Sequence, residues 1–191
     1  MLRASTDGGR AWSEPRRLPD GILGPIKNKP VELATGDLLC PSSSESDSTD
    51  DWRVHFERTW DLGRSWIKVV PVPVKEGNEL NAIQPSILFH DRNTLQAVGR
   101  THEHRMFQTW SLNGGRTWSP LVPMDLPNPN AGTDAVTLRD GRHLLVYNAV
   151  TSGRTPLSIA WSRDGIILQP ALALENEPGE YSYPARLRFE Q

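Results

Sequence analysis

The chain has 191 residues, of which 37% are apolar and 23% charged, a composition typical of a soluble globular protein rather than a disordered one. Its formal net charge of −2, with no Lys/Arg block, gives no electrostatic footprint for nucleic acid or an anionic membrane surface. A single cysteine, Cys40, excludes an internal disulfide framework and a cysteine-based zinc site, and no cofactor is expected.

Targeting signals are absent from the sequence. No apolar stretch approaches the roughly 20 residues that span a bilayer, and residues 1–12 lack the apolar core of a signal peptide. The localisation therefore stays open between the cytoplasm and, with an upstream leader, secretion.

An eight-residue motif recurs along the chain and is called the Asp box below. It has the pattern Ser/Thr-x-Asp/Asn-x-Gly-x-x-Trp, as STDGGRAW from Ser5, TWDLGRSW from Thr59, SLNGGRTW from Ser111 and the degenerate SRDGIILQ from Ser162. The starts are 54, 52 and 51 residues apart. The carboxylate or amide can accept backbone N–H bonds of its own turn, glycine supplies positive φ, and tryptophan pins the turn to its sheet.

Short strands fill the spaces between the boxes. VELATGDLLCPSS, SILFHDRNTLQAVGR and AVTLRDGRHLLVYNAV each read as strand, polar turn and strand, and a further strand stands on either side of a box. Four antiparallel strands in about 52 residues make one blade of a β-propeller. The sequence therefore predicts an all-β propeller over residues 1–191, with an outer half blade at 1–20, whole blades at 30–75, 84–125 and 133–172, and the start of another blade at 183–191.

Propeller topology gathers two classes of loop on one face, around the axis, and leaves the Asp boxes on the other. The axial loops carry several cations, two histidines, acids and tyrosines: Lys27, Lys29, Arg100, Arg105, Arg154, His102, His104, Asp134, Glu180, Tyr181 and Tyr183. Each cation alone reads as solvated, but their recurrence in successive blades favours an anionic ligand held by arginine forks. His102 and His104 have no third ligand positioned by sequence, so no metal site is expected.

These boxes and loops resemble the exo-α-sialidase superfamily and its bacterial BNR-repeat relatives, over essentially the whole chain. The resemblance implies a sialidase-like glycoside hydrolase acting on a terminal acidic sugar. Arg100 and Arg154 match two carboxylate-binding arginines, and Tyr181 matches the nucleophile. Asp134 is expected to contact hydroxyls, and the remaining substrate-binding candidates are Arg105, Lys29 and Tyr183.

Two departures from the family pattern follow from the same comparison. Gln84 stands where the family has the glutamate that takes the nucleophile's proton, and a neutral amide cannot do this. Glu180 and Glu79 are nearby stand-ins. The first arginine and the acid/base aspartate lie upstream of the first box in the family, so they are expected to be missing from this chain.

The family's ring has six blades, and three whole blades plus two pieces do not close it. The sequence thus predicts part of a longer protein or a truncated gene product, with self-association through open blade edges as a further expectation. Two other functions stay open. One is a hydrolase or lyase on uronic-acid glycans, which needs no tyrosine–glutamate couple. The other is a non-catalytic carbohydrate-binding propeller.

Overall fold

The computed structural model describes residues 1–46, 51–75 and 77–185. These residues hold three four-stranded antiparallel sheets, each in simple sequential order. The strands are β1 (Val31–Glu32), β2 (Leu38–Glu45), β3 (Trp52–Thr59), β4 (Ile67–Val69), β5 (Ala82–Phe89), β6 (Leu95–Thr101), β7 (Arg105–Ser111), β8 (Val122–Pro127), β9 (Asp134–Thr137), β10 (His143–Asn148), β11 (Leu157–Ser162) and β12 (Gln169–Glu175). The predicted all-β blade architecture is confirmed.

The segments on either side of the three sheets look different. Within residues 1–20 the structure shows an isolated antiparallel bridge between Leu2 and Arg16, which spans the first Asp box. The strand predicted to begin at 183 falls largely on residues 186–191, which lie outside the described part of the chain, and Tyr183–Ala185 are not in a strand. No helix long and apolar enough to cross a membrane occurs among the described residues.

Two apolar layers hold the three sheets together. The layer between the first and second sheets centres on Phe56, which stacks on Trp118 with ring centroids 3.9 Å apart. The layer between the second and third sheets includes Val98, Met106 and Leu145. Strand residues alternate between these layers, because successive side chains point to opposite faces of a sheet. Each sheet is therefore held mainly by its neighbour, as blades are.

The Asp boxes form the turns that their sequence predicts. In the second box Asp61 Oδ1 accepts bonds from the N–H groups of Arg64 and Ser65 at 2.9 and 2.8 Å. Bonds from Ser65 and other donors of the turn lower the pKa of Asp61. The degenerate fourth box makes a similar turn that is one residue shorter, since Asp164 Oδ1 accepts from the N–H groups of Ile166 and Ile167. The carboxylate, rather than the tryptophan, therefore closes the turn.

A buried carboxylate anchors the segment before β1 to the first sheet. Glu57 is fully buried and accepts bonds from the N–H groups of Leu23 at 2.8 Å and Gly24 at 2.6 Å, and from His55 Nε2 at 3.1 Å. Burial raises the pKa of Glu57, but these hydrogen bonds outweigh it and the pKa lies below its ordinary value. These hydrogen bonds hold residues 22–24 against the first sheet, just before the chain enters the axial loops.

A histidine pair lies between the second and third sheets. The Thr137 hydroxyl accepts the Phe89 N–H at 2.8 Å and forms a hydrogen bond of 2.9 Å with His143 Nδ1. The His90 and His143 ring centroids are 4.4 Å apart. Burial and His90 lower the pKa of His143 to about 4.

We expect the fold to lose stability in acid through His143. Its pKa in the folded state lies below the unfolded value of about 6.5, so its contribution is full above that pH and is lost as the pH falls through about 4. The loss on full protonation is on the order of 3 kcal/mol. Urea unfolding between about pH 7 and 4 measures it. His143→Asn keeps an acceptor that does not titrate and is expected to flatten the curve. An equal slope in both proteins would contradict the assignment.

Candidate functional site

The register of the strands separates two ends of each sheet. Ser111 pairs with Leu95, and Ser162 pairs with His143, so the Asp boxes share one end. At the other end lie Glu45, Arg100 and Asn148, where the second strand of each sheet finishes. This end is called the axial face below, and the sequence-predicted site residues belong to it.

Arg100 is the central cation of the axial face and is only 6% exposed. Its Nη1 donates to the carbonyl oxygen of Asn130 at 2.8 Å, and its Nη2 donates to Tyr183 Oη at 3.2 Å. The guanidinium also lies 5.0 Å from the centroid of the Trp52 ring. Its Nε is buried and has no hydrogen-bond partner among the described residues. Burial lowers the pKa of Arg100, while Tyr183 and Glu45 act in the opposite direction.

Arg154 is the second cation of this group. Its positive charge contributes to lowering the pKa of Arg100. Its Nη1 is buried without a hydrogen-bond partner in the described part of the chain. The Asn148 amide donates to the carbonyl oxygen of Arg154 at 2.7 Å and fixes its loop at the end of β10. Arg100, near the end of β6, and Arg154, in the loop after β10, thus belong to the same end of neighbouring sheets.

The two tyrosines of the EYSYP segment have different surroundings. Tyr183 has a positive φ of 55° and contacts Arg100 through its hydroxyl. Tyr181 is tied through its backbone carbonyl to the Asn148 amide at 3.0 Å. Its ring lies over Gly179, where an added Cβ would come within 2.9 Å of Cζ. The phenol that reaches Arg100 is therefore that of Tyr183.

Gln84 lies in β5, which begins two residues before it. A register shift between Ile83 and Ser86 and a positive φ of 55° turn the backbone at this point. Its carbonyl oxygen accepts the Asn28 amide at 2.8 Å. Its side-chain Oε1 is buried with no partner among the residues described. A ligand donor at this position would satisfy that oxygen.

Asp134 begins β9 and is 3% exposed. Its Oδ2 accepts from Lys29 Nζ at 2.8 Å, and its Oδ1 accepts from the Ser86 hydroxyl at 3.3 Å. Asp134 and Lys29, both predicted to touch substrate, are thus an ion pair with each other. This pair neutralises one of the cations that the sequence placed on this face.

Other predicted residues are not drawn into this group. Arg105 and Glu180 are exposed, and Glu79 accepts the N–H of Gly77. His102 packs on Trp52 with ring centroids 3.8 Å apart. No group of three or more His, Cys, Asp or Glu able to hold a metal occurs in the described ranges.

The structure adds residues that sequence reasoning did not select. Trp52 covers Arg100, Asn130 bonds it, and the charge of Glu45 reaches it. From the sequence, Trp52 could be assigned only as the first residue of a strand. Asn130 has a positive φ of 61° in a Pro-Asn turn, which is the one local signal for it.

Comparison with solved structures finds propellers of carbohydrate-active enzymes. The intramolecular trans-sialidase from Ruminococcus gnavus, in complex with oseltamivir carboxylate, matches 95% of this chain and 42% of its own at 23% identity, with a TM-score of 0.70. The leech intramolecular trans-sialidase, complexed with 2,7-anhydro-Neu5Ac, matches 95% of this chain and 30% of its own at 21% identity, with a TM-score of 0.68. The α-L-arabinanase from Penicillium chrysogenum matches 93% of this chain and 60% of its own at 16% identity, with a TM-score of 0.62.

At sequence identities of 16% to 23%, the structural similarity establishes only the fold of this chain. The chain spans less than two thirds of the length of each of these proteins. No curated protein sequence matches the chain. The BNR repeat-like domain family matches it over residues 1–191. The chain therefore belongs to the BNR repeat-like domain family.

Proposed function

We propose that the axial face binds the carboxylate of a terminal acidic sugar, as part of a sialidase-type glycoside hydrolase. The observation that carries this proposal is the pair Arg100 and Arg154, each with a buried N–H donor that has no partner among the described residues. Buried polar groups are normally hydrogen-bonded. The positive charge of Arg154 acts unfavourably on Arg100, and a shared anion would offset that repulsion while filling both donors.

The neighbours of Arg100 support a flat, carboxylate-sized ligand. The Trp52 ring lies on the guanidinium, so the remaining approach is along the plane of the fork. Planar, bidentate hydrogen bonding to a carboxylate uses that plane. Sialic and uronic acids both carry such a group.

Tyr183 is the better candidate for the nucleophile on geometric grounds, because its hydroxyl is 3.2 Å from Arg100 Nη2. A neutral phenol is not repelled by the carboxylate of the substrate. The phenol oxygen would form a bond to the anomeric carbon as the bond to the aglycone oxygen breaks. The phenol proton would pass to a carboxylate and the aglycone oxygen would take a proton from water, and a further water would then displace the tyrosine from the anomeric carbon. Glu45, whose charge reaches Arg100, is a candidate for the carboxylate.

A fluorogenic α-sialoside tests the assignment. We expect the protein to release the aglycone, Tyr183→Phe to lower kcat by about 100-fold or more, and Tyr181→Phe to retain most activity as the matched control. Loss in Tyr181→Phe with retention in Tyr183→Phe would reverse the roles. Absence of turnover together with absence of calorimetric binding of N-acetylneuraminate would overturn the proposed function.

Gln84 favours a second candidate, which is binding of an acidic sugar without hydrolysis. Its amide cannot accept the phenol proton. Its buried Oε1, which has no partner among the described residues, could accept a hydrogen bond from a sugar hydroxyl. Calorimetry with N-acetylneuraminate and D-glucuronate separates the cases. Binding of either acid without turnover supports the second candidate, and selective turnover of uronates supports the hydrolase or lyase on uronic-acid glycans.

A further inference from the structure

Lys27 lies at the point where three parts of the axial face meet. It has a positive φ of 64° and is half-buried. Its Nζ donates to the carbonyl oxygen of Pro184 at 3.1 Å and to that of Thr133. The lysine therefore connects its own segment to the entrance of β9, 106 residues later, and to the segment that carries Tyr183.

Gly132 makes this convergence possible. A Cβ added there would lie 3.0 Å from Tyr183 Cδ1 and 3.3 Å from Lys27 Cε. Both side chains thus pack on the bare backbone of Gly132. The Tyr183 ring has the glycine on one side and the Arg100 guanidinium, 5.5 Å from its centroid, as a further neighbour.

The charges around Lys27 come from the three parts of the chain that surround it. Asp134 is the nearby anion, and Lys29 and Arg100 are the nearby cations. Burial lowers the pKa of Lys27 to about 8, Asp134 opposes this shift, and Lys29 and Arg100 add to it. Since Asp134 is already paired with Lys29, the ammonium of Lys27 is only partly compensated.

We propose that Lys27 is a positioning residue that couples anion binding at Arg100 to the docking of the Tyr183 segment. The inference rests on the proposed function, and it names the residue that regulates that site. The ammonium has three hydrogens, and the two carbonyl bonds use two of them. The charge of Lys27 therefore adds to the field that attracts the anion, while its hydrogen bonds hold Tyr183 beside it.

The two roles separate with pH. A neutral amine still has two N–H donors for the carbonyls of Thr133 and Pro184, so docking of Tyr183 survives deprotonation. The charge does not survive, so affinity for an anion is expected to fall as the pH rises through about 8. The carboxylate of the ligand and the guanidiniums keep their charges over this range.

Calorimetry with N-acetylneuraminate at about pH 7 and about pH 9.5 measures the charge role. The wild-type protein is expected to bind about tenfold more weakly at the higher pH. Lys27→Met is expected to bind about tenfold more weakly at the lower pH and to show little further change. Lys27→Arg keeps its charge, so its affinity is expected to be the same at both pH values and higher than that of Lys27→Met. Lys68→Met, on exposed β4, is expected to bind like the wild type. A wild-type profile that is flat, or a Lys27→Met profile as steep as the wild type, would overturn the charge role.

Hydrogen exchange of residues 179–185 without ligand measures the docking role and does not depend on any sugar. At about pH 7, Lys27→Met is expected to exchange these amides about tenfold faster than the wild type, with Lys68→Met unchanged. Equal exchange in Lys27→Met and wild type would overturn the docking role. If the wild type binds no acidic sugar, the proposed function and the coupling both fail, and faster exchange in Lys27→Met would leave only a structural role for the lysine.

Discussion

Replacing Arg100 by methionine is expected to weaken the binding of N-acetylneuraminate by about 100-fold. The variant removes the buried fork between Asn130 and Tyr183 while keeping an unbranched apolar chain beneath Trp52. Arg100→Lys keeps the charge but loses the planar pair of donors, so we expect an intermediate loss of about tenfold. Calorimetry at neutral pH measures both effects, and circular dichroism checks that each variant is folded.

Arg139→Met is the matched control for this series. Arg139 is an exposed arginine between β9 and β10, at the end of the sheet that carries the Asp boxes. Its loss is expected to leave the affinity unchanged. Equal affinities for wild type and Arg100→Met would show that the anion does not bind at the fork, and equal weakening in Arg139→Met would show a general effect of net charge.

Glu57→Ala is expected to lower the free energy of unfolding by about 3 to 5 kcal/mol. The substitution leaves the N–H groups of Leu23 and Gly24 and the buried His55 without their acceptor. Each such orphaned group costs desolvation energy that the unfolded chain does not experience. Urea denaturation at neutral pH measures the change.

Two controls sharpen the Glu57 experiment. Glu57→Gln keeps one acceptor oxygen and nearly the same volume, so it is expected to lie between the wild type and Glu57→Ala. Glu14→Ala removes an exposed glutamate and is expected to change stability by less than about 0.5 kcal/mol. A Glu57→Ala variant as stable as Glu14→Ala would mean that residues 22–24 are held by other contacts.

The fold was predictable from sequence because its signals are local. An Asp box closes within a few residues through bonds from its own N–H groups, as those to Asp61 show, so a short motif is enough to locate it. The repeat spacing then set the register of the blades. The fourth box shows where composition misleads, since its lost tryptophan suggested decay, yet Asp164 still closes a turn, one residue shorter than that of Asp61.

The candidate site was predictable only in part, because its contacts join distant segments. Arg100 lies near the end of β6 and Arg154 in the loop after β10, and both places could be assigned from the repeat. The partners of Arg100 come from Trp52, Asn130 and Tyr183, and no sequence period connects these three. The choice between Tyr181 and Tyr183 depends on a backbone turn at Tyr183 that the YSYP sequence does not reveal.

The positive φ angles at Lys27, Gln84 and Tyr183 have a consequence for how such a face diversifies. A left-handed residue costs about 1 kcal/mol or more in a non-glycine chain, and glycine would remove that cost. The side chains at these three positions are thus kept at a cost in stability. Unlike the neighbouring strand residues, they do not have to alternate between the two faces of a sheet. Drift toward a more stable protein would begin by replacing these residues with glycine. New ligand chemistry would begin by exchanging them for other side chains, with the blades beneath left unchanged.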